Sequence, residues 1–275
     1  MPTPEKIALL SDIHGNSPAL RAVLDDVARQ DCARVFVLGD IINGVDPHEC
    51  MELLRSIGDV TCILGNAESG LLTPDLDLFP THRESMYADL VRLFGWYRAH
   101  LTQVDLEWLR QLPATWRWDG AYLVHDSPAD RVLVEETCPP EIDGKYREFI
   151  YHGKGIKPNL SDAEFAEIFA WMRSQHLSKM FCAHTHLPFY RRDGDRVICN
   201  VGSVGIPLDG DPRPSWVLLD EMESKITIRR IDYAVDDYLA MIDQTTDYPD
   251  FSQPNFQRAY KKMLQTGVHW KAHLE

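Results

Sequence analysis

The sequence predicts an α/β fold, and three observations lead to it. Over the first 66 residues, short apolar runs alternate with stretches of helical periodicity. Each apolar run ends in polar residues of the Asp, Asn or His type. No internal repeat or low-complexity linker interrupts the alternation. Strands alternating with helices in this way build a buried, largely parallel sheet.

Taken in order, KIALLSD (6–12) is the first strand. SPALRAVLDDVARQ (17–30) is a helix, because Leu20, Val23, Leu24 and Val27 recur at helical spacing. Ser17 is placed to cap it, with Pro18 at the first position. RVFVLGD (34–40) is a second strand, PHECMELLRSIG (47–58) a second helix and DVTCILGN (59–66) a third strand. From Gly70 to Pro113 the pattern turns helical and aromatic, in ESMYADLVRLFGWYRAHL and DLEWLRQL. This block reads as an insertion over the site or as ordinary helices covering a sheet.

AYLVHDSP (121–128) is again a strand, followed by a loop-rich stretch over 131–160. The helix SDAEFAEIFAWMRSQ opens with a capping box from Ser161 to Glu164. KMFCAHTH, RVICNVGS, SWVLLDE and KITIRRI then read as strands. The tail from Ala234 holds two helices, YLAMID and NFQRAYKKMLQ, with no chemistry attached to them. The expected organisation is one domain over 1–275, with 70–113 as the helical insertion and 234–275 as C-terminal helices.

Composition narrows the function. Hydrophobic residues make up 44% and aromatic residues 10%, enough for a sizeable core. The net charge of -14 argues against a nucleic-acid backbone or an anionic membrane as partner. An anionic substrate would therefore need a local positive centre, which metal ions supply. Cys32, Cys50, Cys62, Cys138, Cys182 and Cys199 form no CxxC pair and are expected as reduced, buried thiols. The opening MPTPEKIALLSD has neither a basic leader nor a long apolar stretch, so cytoplasm is the expected location.

The chemistry lies in a series of short blocks: Asp12-x-His14-Gly-Asn, Gly39-Asp40, Gly65-Asn66, Val124-His125 and His184-x-His186. Each is weak alone, but every one sits at the end of a strand-like run. Ligands of α/β folds bind beyond the carboxyl ends of strands, so the blocks can converge. Oxygen and imidazole donors suit Mn, Fe, Co, Ni or Zn, and the lack of a thiolate argues against a structural zinc site. The remaining histidines, His48, His82, His100, His152, His176, His269 and His273, are read mostly as structural.

Together the blocks resemble the calcineurin-like metallophosphoesterase superfamily, whose signature runs DxH, GD, GN, H and GHxH in this order. The resemblance covers about residues 6–230. It implies a four-layer α-β-β-α sandwich of two mixed sheets flanked by helices. By position, Asp12, His14 and His186 would hold one metal, Asn66, His125 and His184 the other, with Asp40 bridging. Asp40, Asn66 and His125 are then expected to be catalytic. Two divalent transition-metal ions would sit about 3.5–4 Å apart and yield a bridging hydroxide that attacks phosphorus in line. Gly15, Gly39 and Gly65 would let backbone approach the ions closely.

Several positions depart from that pattern. Where GNHE or GNHD is common, this chain reads Gly65-Asn66-Ala67-Glu68, and alanine has no proton for a leaving group. Such help is worth about 10²–10⁴ in rate. The substrate may be one whose leaving group needs little protonation, such as a phosphoanhydride or aryl ester; His82, His152 or Glu68 substitutes; or the domain is a binding scaffold. Glu68 either supports the site or simply starts a helix.

Asp40 is followed by IINGVD, without the arginine of phosphoprotein phosphatases, and Asp126 replaces a common glycine after His125. The segment NVGSVGIPLDGDPRPSW and the helical block before LVHDSP resemble a bacterial branch of predicted phosphodiesterases and diadenosine tetraphosphatase-like proteins. On that likeness Asn66, Ser203 and Arg213 would meet the substrate. Trp96, Tyr97 and Trp108 would stack on a base or, more simply, pack the core. The expected function is hydrolysis of a small phosphodiester or phosphoanhydride of nucleotide type, in a chain whose oligomeric state stays open. Phosphomonoesterase, protein phosphatase and binding scaffold remain as alternatives.

Overall fold

The computed structural model describes residues 5–72, 84–126, 160–249 and 254–273. Its strands are β1 (Lys6–Leu10), β2 (Arg34–Val37), β3 (Val60–Cys62), β4 (Thr115–Trp118) and β5 (Ala121–Val124). They continue with β6 (Lys179–Cys182), β7 (Phe189–Asp193), β8 (Arg196–Asn200), β9 (Ser215–Asp220) and β10 (Lys225–Arg230). The helices are α1 (Ser17–Arg29), α2 (Pro47–Arg55), α3 (Asn66–Leu72) and α4 (Glu84–His100). After them come α5 (Gln103–Gln111), α6 (Asp162–Ser174), α7 (Val235–Gln244) and α8 (Pro254–Thr266), then a 3₁₀ turn at Trp270–His273. His82, Cys138, His152 and positions 131–159 of the expected loop-rich stretch lie outside the described residues.

The strands form two five-stranded sheets, in the orders β10-β9-β1-β2-β3 and β4-β5-β6-β8-β7. β1, β2 and β3 run parallel, with β9 antiparallel to β1. β5, β6 and β8 run parallel, with β4 and β7 as antiparallel edges. The single parallel sheet expected from the first strands is thus two mixed sheets, as the family resemblance implied. The edge strands β4 and β7 had no counterpart in the sequence reading, because their side chains, as in FYRRD, face water and carry charge.

Strand alternation generates the layers, since successive side chains point to opposite faces. Ile7, Leu9 and Phe36 from one sheet meet Leu123, Phe181 and Cys199 from the other in a shared core. Ala8, Leu10, Val35 and Val37 face the opposite way, against Leu20, Val23, Met51 and Leu54 of α1 and α2. Tyr122, Met180 and Ile198 cover the outer face of the second sheet with Ile168 and Met172 of α6. The order is helices, sheet, sheet, helix. Among the described residues no helix is long and apolar enough to cross a membrane.

The α1 cap differs from expectation by one residue. Asn16 is the cap, its Oδ1 accepting the Ala19 N–H at 3.1 Å, and the Ser17 hydroxyl donates to Asp46 instead. The α6 capping box between Ser161 and Glu164 is present. Asp26 fastens α1 to the sheet: Arg229 donates to it at 2.7 and 3.1 Å and Trp216 Nε1 at 3.2 Å. Burial pushes the Asp26 carboxyl up, but Arg229 outweighs burial and holds it below its ordinary value. A depressed carboxylate stabilises the fold above its unfolded value and loses that contribution as pH falls below about 4. Asp26→Asn should cost about 2 kcal/mol at neutral pH and flatten the acid limb of a pH–stability curve, read by urea unfolding.

Candidate metal centre

The parallel strands of both sheets deliver the polar blocks to one place. Asp12 and His14 follow β1, Asp40 follows β2 and Asn66 begins α3 just past β3. From the second sheet, His125 follows β5, while His184 and His186 follow β6. Donor atoms of Asp12, His14 and His186 lie within 4.8 Å of one another, as do those of Asp40, His125 and His184. Asn66 Oδ1 is 3.0 Å from His125 Nε2. Asp40 faces both groups, Oδ1 lying 3.6 Å from His125 Nε2 and Oδ2 3.8 Å from His14 Nε2.

The imidazoles are oriented from behind. His125 Nδ1 donates to the Leu38 carbonyl at 2.6 Å, and His186 Nδ1 to that of Ile206 at 2.6 Å. A carbonyl only accepts, so in each neutral ring the proton is on Nδ1 and Nε2 presents a lone pair. Those lone pairs face other donors: His14 Nε2 stands 3.2 Å from His186 Nε2, and Asp12 Oδ1 has His186 Nε2 at 3.3 Å. Electron-rich atoms held this close and this deeply buried fit a cation, and 3.2 Å suits two imidazoles on one ion with arms of about 2.0–2.1 Å.

The charges agree. Burial raises the Asp12 carboxyl, but His186, His125 and His14 hold it below its ordinary value. Asp40 is raised, because burial together with Asp12 outweighs His125. His14 falls to about 3 under burial and the His186 charge. Burial also lowers His186, yet the facing Asp12 carboxylate raises it overall.

Holding these groups together strains the chain. Asp12, His14, Asp40, His184 and His186 all have positive φ, from 48° to 66°. This left-handed region is uncommon for side-chain-bearing residues and clusters at functional sites. Gly65 is required by space, since a Cβ there would collide with the Asp40 carboxylate.

Glu68 is the main brace. Fully buried, it accepts the N–H groups of Asp40 and Gly65 at 2.9 Å each, of Ile41 at 2.8 Å and of Ile42 at 3.0 Å. Burial and Asp40 still push its carboxyl up to about 7. Asn200 performs a similar task opposite, donating to the Ala183 carbonyl at 2.7 Å and the Thr185 hydroxyl at 3.1 Å.

A cavity of about 780 Å³ opens above the centre, lined by His14, Asp40, Asn66, His184 and His186 at its floor. Two expected substrate contacts, Ser203 and Arg213, are not among its lining residues. Ser203 is fully buried, its hydroxyl donating to the Asp12 carbonyl and accepting the Ile206 N–H, both at 2.8 Å. Arg213 lies exposed, paired with Asp211 at 2.7 Å, and does not line the cavity. Asp126 is buried and outside the lining.

The insertion aromatics pack inward. Tyr97 donates to or accepts from Tyr248 at 2.9 Å, Trp96 stacks on His100, and Trp108 lies against the core. Among the described residues of α4, Asp89 and Arg92 reach the lining.

What the sequence reading missed is the opposite wall. Tyr248, Phe256, Tyr260, Met263, His269 and Trp270, all from the tail, line the cavity. His269 thus leaves the structural class. A third grouping, His48, Glu52 and Asp105, has no room for a metal: Asp105 already binds Arg55 at 2.7 Å, His48 at 2.8 Å and Thr102.

Residues 6–224 match the profile of the calcineurin-like phosphoesterase superfamily domain. An uncharacterized protein of Methanocaldococcus jannaschii is 28% identical over 246 residues, 83% of this chain and 88% of its own length. The phosphodiesterase YfcE of Escherichia coli is 24% identical over 234 residues, 81% of this chain and 92% of its own. The crystal structure of a metallophosphoesterase from Sphaerobacter thermophilus aligns with a TM-score of 0.66 at 24% identity, over 97% of this chain and 100% of its own. Hypothetical protein PH1004 of Pyrococcus horikoshii gives 0.67 at 19% identity, over 96% and 99%. Both likenesses are to the fold. The profile spans every strand end from Asp12 to His186 and stops short of the tail, and on that match the chain belongs to the calcineurin-like phosphoesterase superfamily and is a phosphoesterase.

Proposed function

We propose that this phosphoesterase hydrolyses phosphodiesters or phosphoanhydrides with the help of two divalent transition-metal ions. One observation carries the reading: donor groups from both sheets converge at a single buried point, in two clusters with Asp40 facing each. Asp12, His14 and His186 would hold one ion, Asn66, His125 and His184 the other, and Asp40 both. Bound there, the ions would neutralise phosphoryl oxygens and lower the pKa of a water. The chain's own part is to keep Nε2 of His125 and His186 unprotonated through the Leu38 and Ile206 carbonyls, and to fix Asp40 through Glu68.

At the position after Asn66 only the Ala67 N–H is on hand, and it is spent on Asp40 Oδ1 at 2.8 Å. No side chain there protonates a leaving group, which favours anhydrides and esters of acidic alcohols over alkyl monoesters. The phosphodiesterase designation of YfcE points the same way. A scaffold without catalysis is disfavoured, because buried donors on strained backbone cost free energy that only a bound cation offsets.

Elemental analysis of the purified protein should find up to two ions of Mn, Fe, Co, Ni or Zn per chain. With Mn²⁺ it should turn over bis-p-nitrophenyl phosphate, and diadenosine tetraphosphate in the same assay, faster than p-nitrophenyl phosphate. A protein that retains no metal and hydrolyses none of the three overturns the reading.

A further inference from the structure

We infer that Tyr248, Phe256, Tyr260 and Trp270 form an aromatic subsite that holds the base of a nucleotide substrate, an assignment that rests on the phosphohydrolase reading above. The cavity is continuous: the candidate metal ligands line its floor and these four rings line it from the tail side. At about 780 Å³ it is far larger than a phosphoryl group needs. Pockets of about 300–1,000 Å³ enclose whole drug-sized molecules, so much of the substrate beyond the phosphorus is enclosed as well.

The wall is suited to a flat ring. Phe256 meets Trp270 edge-on, centroids 5.0 Å apart and planes at 68°, while Tyr260 lies beside Phe256 at 6.1 Å and 33°. Phe256, Tyr260 and Trp270 are half-buried, packing on the helical core with one side and bordering the cavity with another. Core packing accounts for the first contact and leaves the second without a purpose in phosphate chemistry. Asn43 and Asn255 also line the cavity, and their amides offer both donor and acceptor to a base edge. Arg92 also borders the cavity, paired with Asp89 beside it. A dialkyl phosphate would use neither the rings nor the amides. A nucleotide would use all of them.

The wall is also separate from the hydrolytic scaffold. Its residues lie beyond position 224, where the superfamily match ends. Trp96 and Tyr97, which stand within that match, are buried in the core. Stacking on aromatic side chains strengthens binding by about tenfold to a hundredfold per base and tolerates any base.

The test compares AMP with ribose 5-phosphate, which carry the same phosphate and sugar and differ in the base. Calorimetric titration of the full chain with Mn²⁺ reads binding without turnover. AMP should bind about tenfold to a hundredfold more tightly than ribose 5-phosphate. Phe256→Leu and Trp270→Leu, which keep apolar bulk, should each weaken AMP about tenfold and leave ribose 5-phosphate within twofold.

Equal affinity of the wild type for the two ligands overturns the subsite and leaves the phosphohydrolase reading standing. Parallel weakening of both ligands in both variants shows distortion of the metal centre and overturns the subsite too. If Trp270→Leu does not fold, Phe256→Leu decides alone. If neither ligand binds the wild type, the subsite falls, and turnover of bis-p-nitrophenyl phosphate and diadenosine tetraphosphate decides the phosphohydrolase reading separately.

Discussion

Asp40→Ala should abolish hydrolysis of bis-p-nitrophenyl phosphate and empty both metal positions together. The two oxygens of this carboxylate face different donor clusters, at 3.6 Å from His125 and 3.8 Å from His14. Without it, two sets of lone pairs remain with nothing to join the cations between them. The loss should exceed the roughly 10²–10³ in rate that follows removal of one electrostatic contact to a transition state. Asp40→Asn keeps the shape and one carbonyl oxygen for the Ala67 N–H. It should retain the fold, hold metal more weakly and fall short of wild-type turnover. Elemental analysis beside the rate assay separates the two variants, and full activity in Asp40→Ala would refute the bridging role.

Glu68→Ala should do comparable harm by another route. The substitution strands four buried backbone N–H groups, on Asp40, Ile41, Ile42 and Gly65. Each unsatisfied donor costs about 1–3 kcal/mol, and their sum approaches the total stability of about 5–15 kcal/mol that domains possess. Relaxation of the loops will recover part of it. A fall in Tm of more than about 10 °C is expected, since 1 kcal/mol corresponds to about 2–4 °C in larger domains. Glu68→Gln is the informative partner, because it presents an NH₂ group where two of those donors need an acceptor. It should lose stability by roughly half as much. A melt within about 2 °C of wild type for Glu68→Ala would show that the four contacts contribute little.

The convergence of the candidate ligand side chains was legible in the sequence, for a physical reason. Ligands at the ends of central strands are placed by the strands, and apolar runs such as KIALL and RVFV are among the plainest local signals. Glu68 was only half legible: its spacing from Asn66 is local, but its four acceptors depend on the β2 and β3 loops meeting in space. Ser203 was ambiguous because a hydroxyl in a glycine-rich loop reads alike whether it faces substrate or braces the backbone. The strands β4 and β7 were missed because edge positions lack the apolar alternation that marks a core strand. The tail was the largest omission. Its helix α8 presents Phe256, Tyr260 and Met263 at helical spacing, a pattern that core packing fully accounts for. That the same stripe also walls a cavity is decided by residues some 60 to 240 positions away.

The backbone around the candidate metal centre sets unequal terms for anyone wishing to redesign it. At positions 12, 14, 40, 184 and 186 the chain turns left-handed, and only Gly, Asn and Asp tolerate that geometry cheaply. Asn66 and His125 sit on right-handed or extended chain that accepts any L-residue. Attempts to retune metal preference would therefore have two permissive doors, 66 and 125, both in the cluster proposed for one ion. The cluster proposed for the other would be effectively locked to the residues it has.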